Sequence, residues 1–281
     1  MRNGLAWAGS REAHCSALPT VLRHASAMGV AGASSRDKYK ELSRRWHRIN
    51  RRLFIVIGAI CGAIIVASLV VAELWPDQGW MAGFFGGAAA AFFMAAWLSP
   101  PGWIENWQSG AWGEEATAKA LRPLEGEGWV VLHDLPAERG NVDHIVIGPP
   151  GVFLLDSKRL SGTVRIDGDG LANVDRADDN SLSYRHPGDR HLLSLARETH
   201  SRVLASSRIR LWVAPVMVIW ADFPQRVVDE NRCVYVHGDE LVSWLRGREQ
   251  KIAPSRMQTI VEAVTAAWTS DISTTQQGQD R

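Results

Sequence analysis

The residues able to do chemistry are concentrated between Asn141 and Lys158. Two runs rich in β-branched and apolar residues, Asn141-Val142-Asp143-His144-Ile145-Val146-Ile147-Gly148 and Val152-Phe153-Leu154-Leu155-Asp156-Ser157-Lys158, flank Pro149-Pro150-Gly151. That is the pattern of two adjacent strands joined by a tight turn. Side chains two apart on a strand share a face, so Asp156 and Lys158 point one way while Leu155 and Ser157 point the other. With Asp143 on the neighbouring strand, two carboxylates and one ammonium converge. Hard oxygen ligands of this kind suit Mg²⁺ or Mn²⁺, which polarise a phosphoryl oxygen and lower the pKa of bound water. Lys158 is then placed to orient or deprotonate that water, or to stabilise the charge growing on phosphorus. The set is that of a metal-dependent phosphodiesterase.

The elements that must position these groups are legible on either side. Upstream, the segment from Gly110 to Trp129 carries Ala116, Ala120, Leu121 and Leu124 at helical spacing and meets a stop at Gly126 and Gly128. The expectation is a short amphipathic helix with Glu114 and Glu115 in its first turn, where the helix dipole favours acids. One helical position turns the face by about 100°, so the period alone leaves both glutamates as candidates for a third carboxylate. Downstream, a helix is expected from Asp189 to Ser207, a buried strand from Leu211 to Trp220 and a short strand from Cys233 to Val236. Two further helices are expected near Asp239 to Leu245 and Pro254 to Trp268.

Several other residues are weighed and set aside. An isolated Asp-x-Lys pair is most often a surface ion pair, and here its company distinguishes it. His133, His144 and His186 lack partners at metal-ligand spacing and read as structural. Asp167-Gly168-Asp169-Gly170 lacks the ligand spacing of a calcium loop and reads as a hairpin turn between Val164-Arg165-Ile166 and Leu171-Ala172-Asn173-Val174.

Gly110-x-x-Gly113-Glu114, the string from Gly140 to Lys158 and Leu160-Ser161-Gly162-Thr163-Val164 together resemble the nuclease-related domain (NERD), a branch of the PD-(D/E)xK nuclease superfamily, over roughly residues 105–225. The resemblance implies an α/β, restriction-endonuclease-like core, a small mixed sheet flanked by helices. It implies Glu114 on the core helix, Asp143 on the second core strand, and Asp156 with Lys158 on the third. As catalytic residues these would be Glu114, Asp143, Asp156 and Lys158, with Asp143, Asp156 and Glu114 holding Mg²⁺ or Mn²⁺ and DNA or RNA as substrate. Two positions depart from the family pattern: Asp156 stands where Glu is commoner, and Arg190 in His186-Pro187-Gly188-Asp189-Arg190 stands where an amide is usual.

A second signal lies nearer the N-terminus. Residues 53–72 contain no charge and are long enough to cross a hydrocarbon core, and residues 80–98 form another uncharged run. The connector at 73–79 is short and contains Pro76 and Gly79, so a transmembrane hairpin is expected. Eleven basic and three acidic residues precede Leu53, whereas the connector has only Glu73 and Asp77. The positive-inside rule therefore places the N-terminus and the downstream domain in the cytoplasm, on a two-span protein of the cell membrane. Trp46, Trp75, Trp80, Trp97, Trp103, Trp107 and Trp112 cluster near the span boundaries, as interfacial anchors do. Gly58-x-x-x-Gly62 and Gly83-x-x-x-Gly87 would allow close packing within the hairpin or between copies in a homo-oligomer.

The chain carries a formal net charge of +1, divided unevenly: about +8 before Leu53 and about −7 after it. The basic arm suits a juxtamembrane segment drawn to the lipid bilayer. The mildly acidic remainder argues against strong non-specific binding to nucleic acid, with local basic patches at Arg159, Arg165, Arg185 and Arg190. Cys15, Cys61 and Cys233 are few and far apart, which indicates neither a disulfide framework nor a zinc site. No cleavable signal peptide is evident, and Met28 is an alternative start. The expected organisation is a basic, partly disordered arm at 1–52, the hairpin at 53–98, a nuclease-like domain at 105–268 and a disordered tail at 269–281. Two functions from different classes follow: a membrane-anchored, metal-dependent nuclease at the cytoplasmic face, or a catalytically silent tethered scaffold that binds nucleic acid or protein.

Overall fold

The computed structural model describes residues 29–138, 140–167, 172–175, 183–186, 188–229 and 232–279. The chain divides into two compact units, one of residues 35–109 and one of residues 1–34 with 110–281.

The first unit holds most of helix α1 (Ala33–Ile49), then α2 (Arg51–Leu74), a 3₁₀ turn (Pro76–Gln78) and α3 (Gly79–Leu98). Helices α2 and α3 form because uninterrupted apolar residues carry no internal proline. Pro76 follows the end of the first apolar helix, since it cannot donate the next helical hydrogen bond. Both are long and apolar enough to cross a membrane, with window hydropathies of 2.9 and 1.6, and only 11% of each window is buried. Of the glycines at motif spacing, only Gly58 lies in the seam, where an added Cβ would stand 3.2 Å from Phe93. Gly86 faces Ser68, while Gly62, Gly83 and Gly87 meet open space. At the basic end of the hairpin His47 bonds the Trp97 carbonyl at 3.0 Å within a ring cluster of Trp46, Phe54 and Trp97.

The second unit is a mixed α/β layer structure. Helix α4 (Gly102–Glu125) leads into β1 (Val130–Pro136), β2 (Asn141–Gly148) and β3 (Gly151–Ile166). Then come β4 (Ala172–Asp175), β5 (Tyr184–His186), α5 (Gly188–Ser207) and β6 (Val213–Asp222). Strands β7 (Val227–Val228) and β8 (Val234–His237) complete the sheet, followed by a 3₁₀ turn, α6 (Leu241–Arg246) and α7 (Pro254–Gln279). The eight strands run in the order β1-β2-β3-β6-β8-β7, with β4 on β3 and β5 on β4. Strands β1, β2 and β3 pair antiparallel, whereas β3, β6 and β8 are parallel.

Each face of the sheet has its own core. One packs Leu121 and Leu124 of α4 with Leu241 and Leu245 of α6 over Val146, Phe153, Leu155 and Val218. The other packs α5 and α7, through Leu195, Val203, Val264 and Trp268, over Ile145, Leu154 and Met217. The continuous apolar run of β6 is the consequence of burial on both faces.

Two expectations are corrected, and a third falls outside the described residues. The helix carrying Glu114 and Glu115 begins at Gly102, because Trp103, Ile104 and Trp107 continue its pattern; the first-turn acid is Glu105, and both glutamates lie mid-helix. The expected disordered tail is helical as far as Gln279. No proline interrupts the segment after Trp268, and once the apolar face is docked each added residue gains a hydrogen bond. The expected Asp-Gly turn at 168–171 lies outside the described residues, although β3 and β4 do pair antiparallel across it. Cys61 and Cys233 are free and buried, and Cys15 lies outside the described residues.

Candidate active site

The site sits where the sheet splits. The β2–β3 ladder ends at His144↔Leu155, and the β1–β2 pairing skips the Asp134 and Asp143 positions. Beyond that point the Ser157 N–H has no strand partner. It donates instead to Oδ2 of Asp143 at 2.7 Å, so the acid lies in the gap between strands. The charge of Glu114, carried by α4, reaches both Asp143 and Lys158 here.

Four of the expected residues are brought together. Lys158 Nζ donates to Asp156 Oδ1 at 2.8 Å, and their side chains are only 28% and 13% exposed. Burial, and then the charges of Asp156 and Glu114, hold the Asp143 carboxyl well above the usual carboxylate range, against the pull of Lys158 and the Ser157 N–H. Burial pulls the Lys158 pKa down, but Asp156, Asp143 and Glu114 together raise it above the ordinary lysine value. Lys158 therefore keeps its proton here, which favours charge stabilisation over abstraction of a proton from water. Of the two candidate glutamates, Glu114 is buried and its charge reaches Asp143, whereas Glu115 is not among the groups acting there.

Sequence reasoning missed how Glu114 is held. Its Oε2 accepts the Gly32 N–H at 3.0 Å, from a segment eighty-two positions earlier. That strap is pinned by Asp134, whose carboxylate accepts the Ser34 N–H at 2.9 Å, the Ser34 hydroxyl at 2.7 Å and the Asn141 amide at 2.8 Å. A Cβ on Gly32, at φ +72°, would stand 2.9 Å from the Ala111 carbonyl oxygen, so glycine is required for the approach. The local signals were two glycines around Ala31 and a Ser at a helix start, too common to point at a partner so distant in sequence. On the other face of β3, the Ser157 hydroxyl and the Trp220 indole N–H, each at 2.8 Å, both donate to the Thr117 hydroxyl. Thr117 donates in turn to the Gly113 carbonyl at 3.0 Å, which fixes α4 against the strand that carries Asp156 and Lys158.

The histidines behave differently from one another. His133 and His144 meet Nδ1 to Nδ1 at 2.7 Å, so one ring donates and the other accepts. Burial holds both below the ordinary imidazole value. His186 feels Lys158, Asp156 and Asp189, with burial the largest influence, and its pKa is lowered. It stands closer to the site than a structural histidine needs to. Arg185 is tied to Asp167 at 2.8 Å and Arg159 lies over the Trp112 ring at 4.9 Å, so neither is a free cation. Arg190 is exposed.

The fit of a divalent ion can be judged from the donors. Among the described residues no three His, Cys, Asp or Glu side chains gather closely enough to hold a metal by themselves. Asp143 and Asp156 do form a repelling carboxylate pair, which a cation would relieve. Mg²⁺ keeps several waters and binds through one or two carboxylates together with substrate phosphate, so this two-acid set fits it better than a dedicated cage would.

Residues 109–219 match the family model described as NERD, nuclease-related domain. Neither a curated protein nor a solved structure matches the chain.

Proposed function

We propose that this chain, whose residues 109–219 match the nuclease-related domain, is a membrane-anchored, metal-dependent nuclease that hydrolyses phosphodiester bonds of DNA or RNA at the cytoplasmic face. The single observation that carries the reading is the convergence of Asp143, Asp156, Lys158 and Glu114 at the split between β2 and β3. Asp143 and Asp156, with Glu114 behind them, would hold Mg²⁺ or Mn²⁺. When bound, such an ion polarises a phosphoryl oxygen and lowers the pKa of a water. Lys158 sets its ammonium against the charge that grows on the phosphoryl oxygens. Glu114, oriented by Gly32, adds its negative charge at the same point, which favours the proton on Asp143 until a cation relieves the crowded acids. The hairpin supports anchoring, and the basic residues before Leu53 support a cytoplasmic N-terminus and domain.

The test is cleavage of labelled single- and double-stranded DNA and RNA by the full chain in detergent, with Mg²⁺, with Mn²⁺ and with chelator. The full chain matters because the Gly32 strap precedes the hairpin. Metal-dependent cleavage lost in Asp156→Ala is the expected result. A folded chain that cleaves none of the substrates would favour the tethered scaffold. One observation leans that way: Gly32, Ser157 and Lys158 each already occupy one oxygen of an acid.

A further inference from the structure

At the start of β3 and β6 lies a cavity of about 1300 Å³, lined by Gly151, Val152, Phe153 and Val213 together with residues of α5 and α7. Its volume exceeds the roughly 300–1000 Å³ of ordinary small-molecule sites. It shares no residue with the acid and lysine site, whose Asp156 and Lys158 lie three to seven residues further along β3, roughly 10–23 Å away at the rise of a strand.

The lining is strongly cationic in a part of the chain that is otherwise acidic. Arg197, Arg210, Arg232, Lys251 and Arg256 border the cavity, and among the described residues none of them forms an ion pair. Arg248 is neutralised by Asp229, which leaves Glu249 as the one other acid on the wall. Trp212 lies on the same wall and is 78% exposed, more than any other large hydrophobic side chain described. Unpaired cations and an exposed indole around a concavity have one common ligand chemistry: a planar ring to stack and phosphates to neutralise. A bilayer surface offers phosphate but cannot enter a cleft.

We propose that this cleft is a second, non-catalytic site that binds nucleotide units, with a base stacked on Trp212 and phosphates held by Arg197, Arg210 and their neighbours. The volume favours a segment of single strand over one mononucleotide. Seated there, a strand would be retained by the protein independently of turnover at Asp143 and Asp156.

The test is fluorescence anisotropy of a labelled thymidine oligonucleotide with the full chain in neutral-lipid nanodiscs, in chelator so that no cleavage intervenes. ATP and thymidine monophosphate serve as competitors. The expected result is binding weakened about tenfold by Trp212→Ala. Replacing Arg197 and Arg210 by Ala together lowers the slope of log affinity against log salt by about 1.4. Competition by mononucleotides at similar concentration would support the cleft with free nucleotide as its source. Oligonucleotide binding insensitive to both the Trp212 and the arginine variants would overturn the proposal. So would a Trp212→Ala variant that binds oligonucleotide normally but loses the tryptophan fluorescence change between neutral and anionic nanodiscs, an outcome that assigns the surface to lipid.

Discussion

The hairpin and the sheet unit place their residues in opposite senses. In the hairpin Ile55, Val66, Leu69, Phe84 and Phe92 are 59–67% exposed, while in the sheet unit Glu114, Thr117, His144 and Ser157 are buried. Exposed apolar side chains in such numbers fit a surrounding solvent of lipid, since water would make the same surface an aggregation hazard. Most buried polar groups find a partner, and several of these partners converge on one place: Gly32 on Glu114, Ser157 on Asp143 and on Thr117, His133 on His144. Among the described residues His144 Nε2, Thr265 Oγ1 and Trp268 Nε1 accept or donate no hydrogen bond. Exposure of apolar groups in one unit and burial of polar groups in the other thus set the two units apart.

The contrast can be broken directly. Ile60 is 55% exposed near the middle of α2, and Leu204 is 36% exposed on α5. If their surroundings are lipid and water, Ile60→Asp should cost about 2.5–3.5 kcal/mol of membrane insertion, while Leu204→Asp should cost under about 1 kcal/mol of folding stability. Carbonate extraction reads the first and urea unfolding the second, and equal effects would remove the distinction.

The strap that grips Glu114 offers a test on the polar side. Gly32→Ala forces a Cβ toward the Ala111 carbonyl and should detach the Gly32 N–H from Glu114. A charge-assisted hydrogen bond contributes about 1.5–3 kcal/mol, so cleavage should fall roughly tenfold or more, with the fold intact by circular dichroism. Unchanged cleavage would show that Glu114 needs no help from the strap.

The smallest effect concerns acid. Both His133 and His144 have folded pKa values below the ordinary 6.5, so the unfolded chain binds protons that the folded chain refuses. Stability is therefore present in full above about pH 6.5 and declines as pH falls from there toward the depressed folded values. The limit is about 1.4 kcal/mol per pH unit for each ring. Replacing both histidines by Leu should flatten the urea midpoint between pH 7 and 5; a profile as steep as the parent's would place the acid sensitivity elsewhere.

Much of this was legible beforehand because it depends on local spacing. Alternation along β3 puts Asp156 and Lys158 on one face, and twenty apolar residues make a helix long enough to cross a membrane whatever follows them. What escaped depends on contacts distant in sequence. The split after His144↔Leu155, the Gly32 hydrogen bond to Glu114 and the His133–His144 pair each arise only when separate strands and loops meet. Glu114 could be told from Glu115 only by knowing which face of α4 lies against the sheet. The start of α4 at Gly102 lies upstream of the expected segment, and Gly110 and Gly113 sit inside the helix. Of the Gly-x-x-x-Gly pairs only Gly58 meets the facing helix, because spacing alone does not say which helix face the seam uses.

The most direct test of the central claim, that the four side chains act as one site, is single-turnover cleavage in Mg²⁺ by the parent, Asp143→Ala, Lys158→Ala and the double variant. Groups that act as a unit are non-additive. The account predicts that each single change slows cleavage by about 10²–10³-fold, as loss of a transition-state stabiliser does, and that the double variant is scarcely slower than either. Single variants that cleave at the parent's rate, or losses that multiply in the double variant, would contradict it.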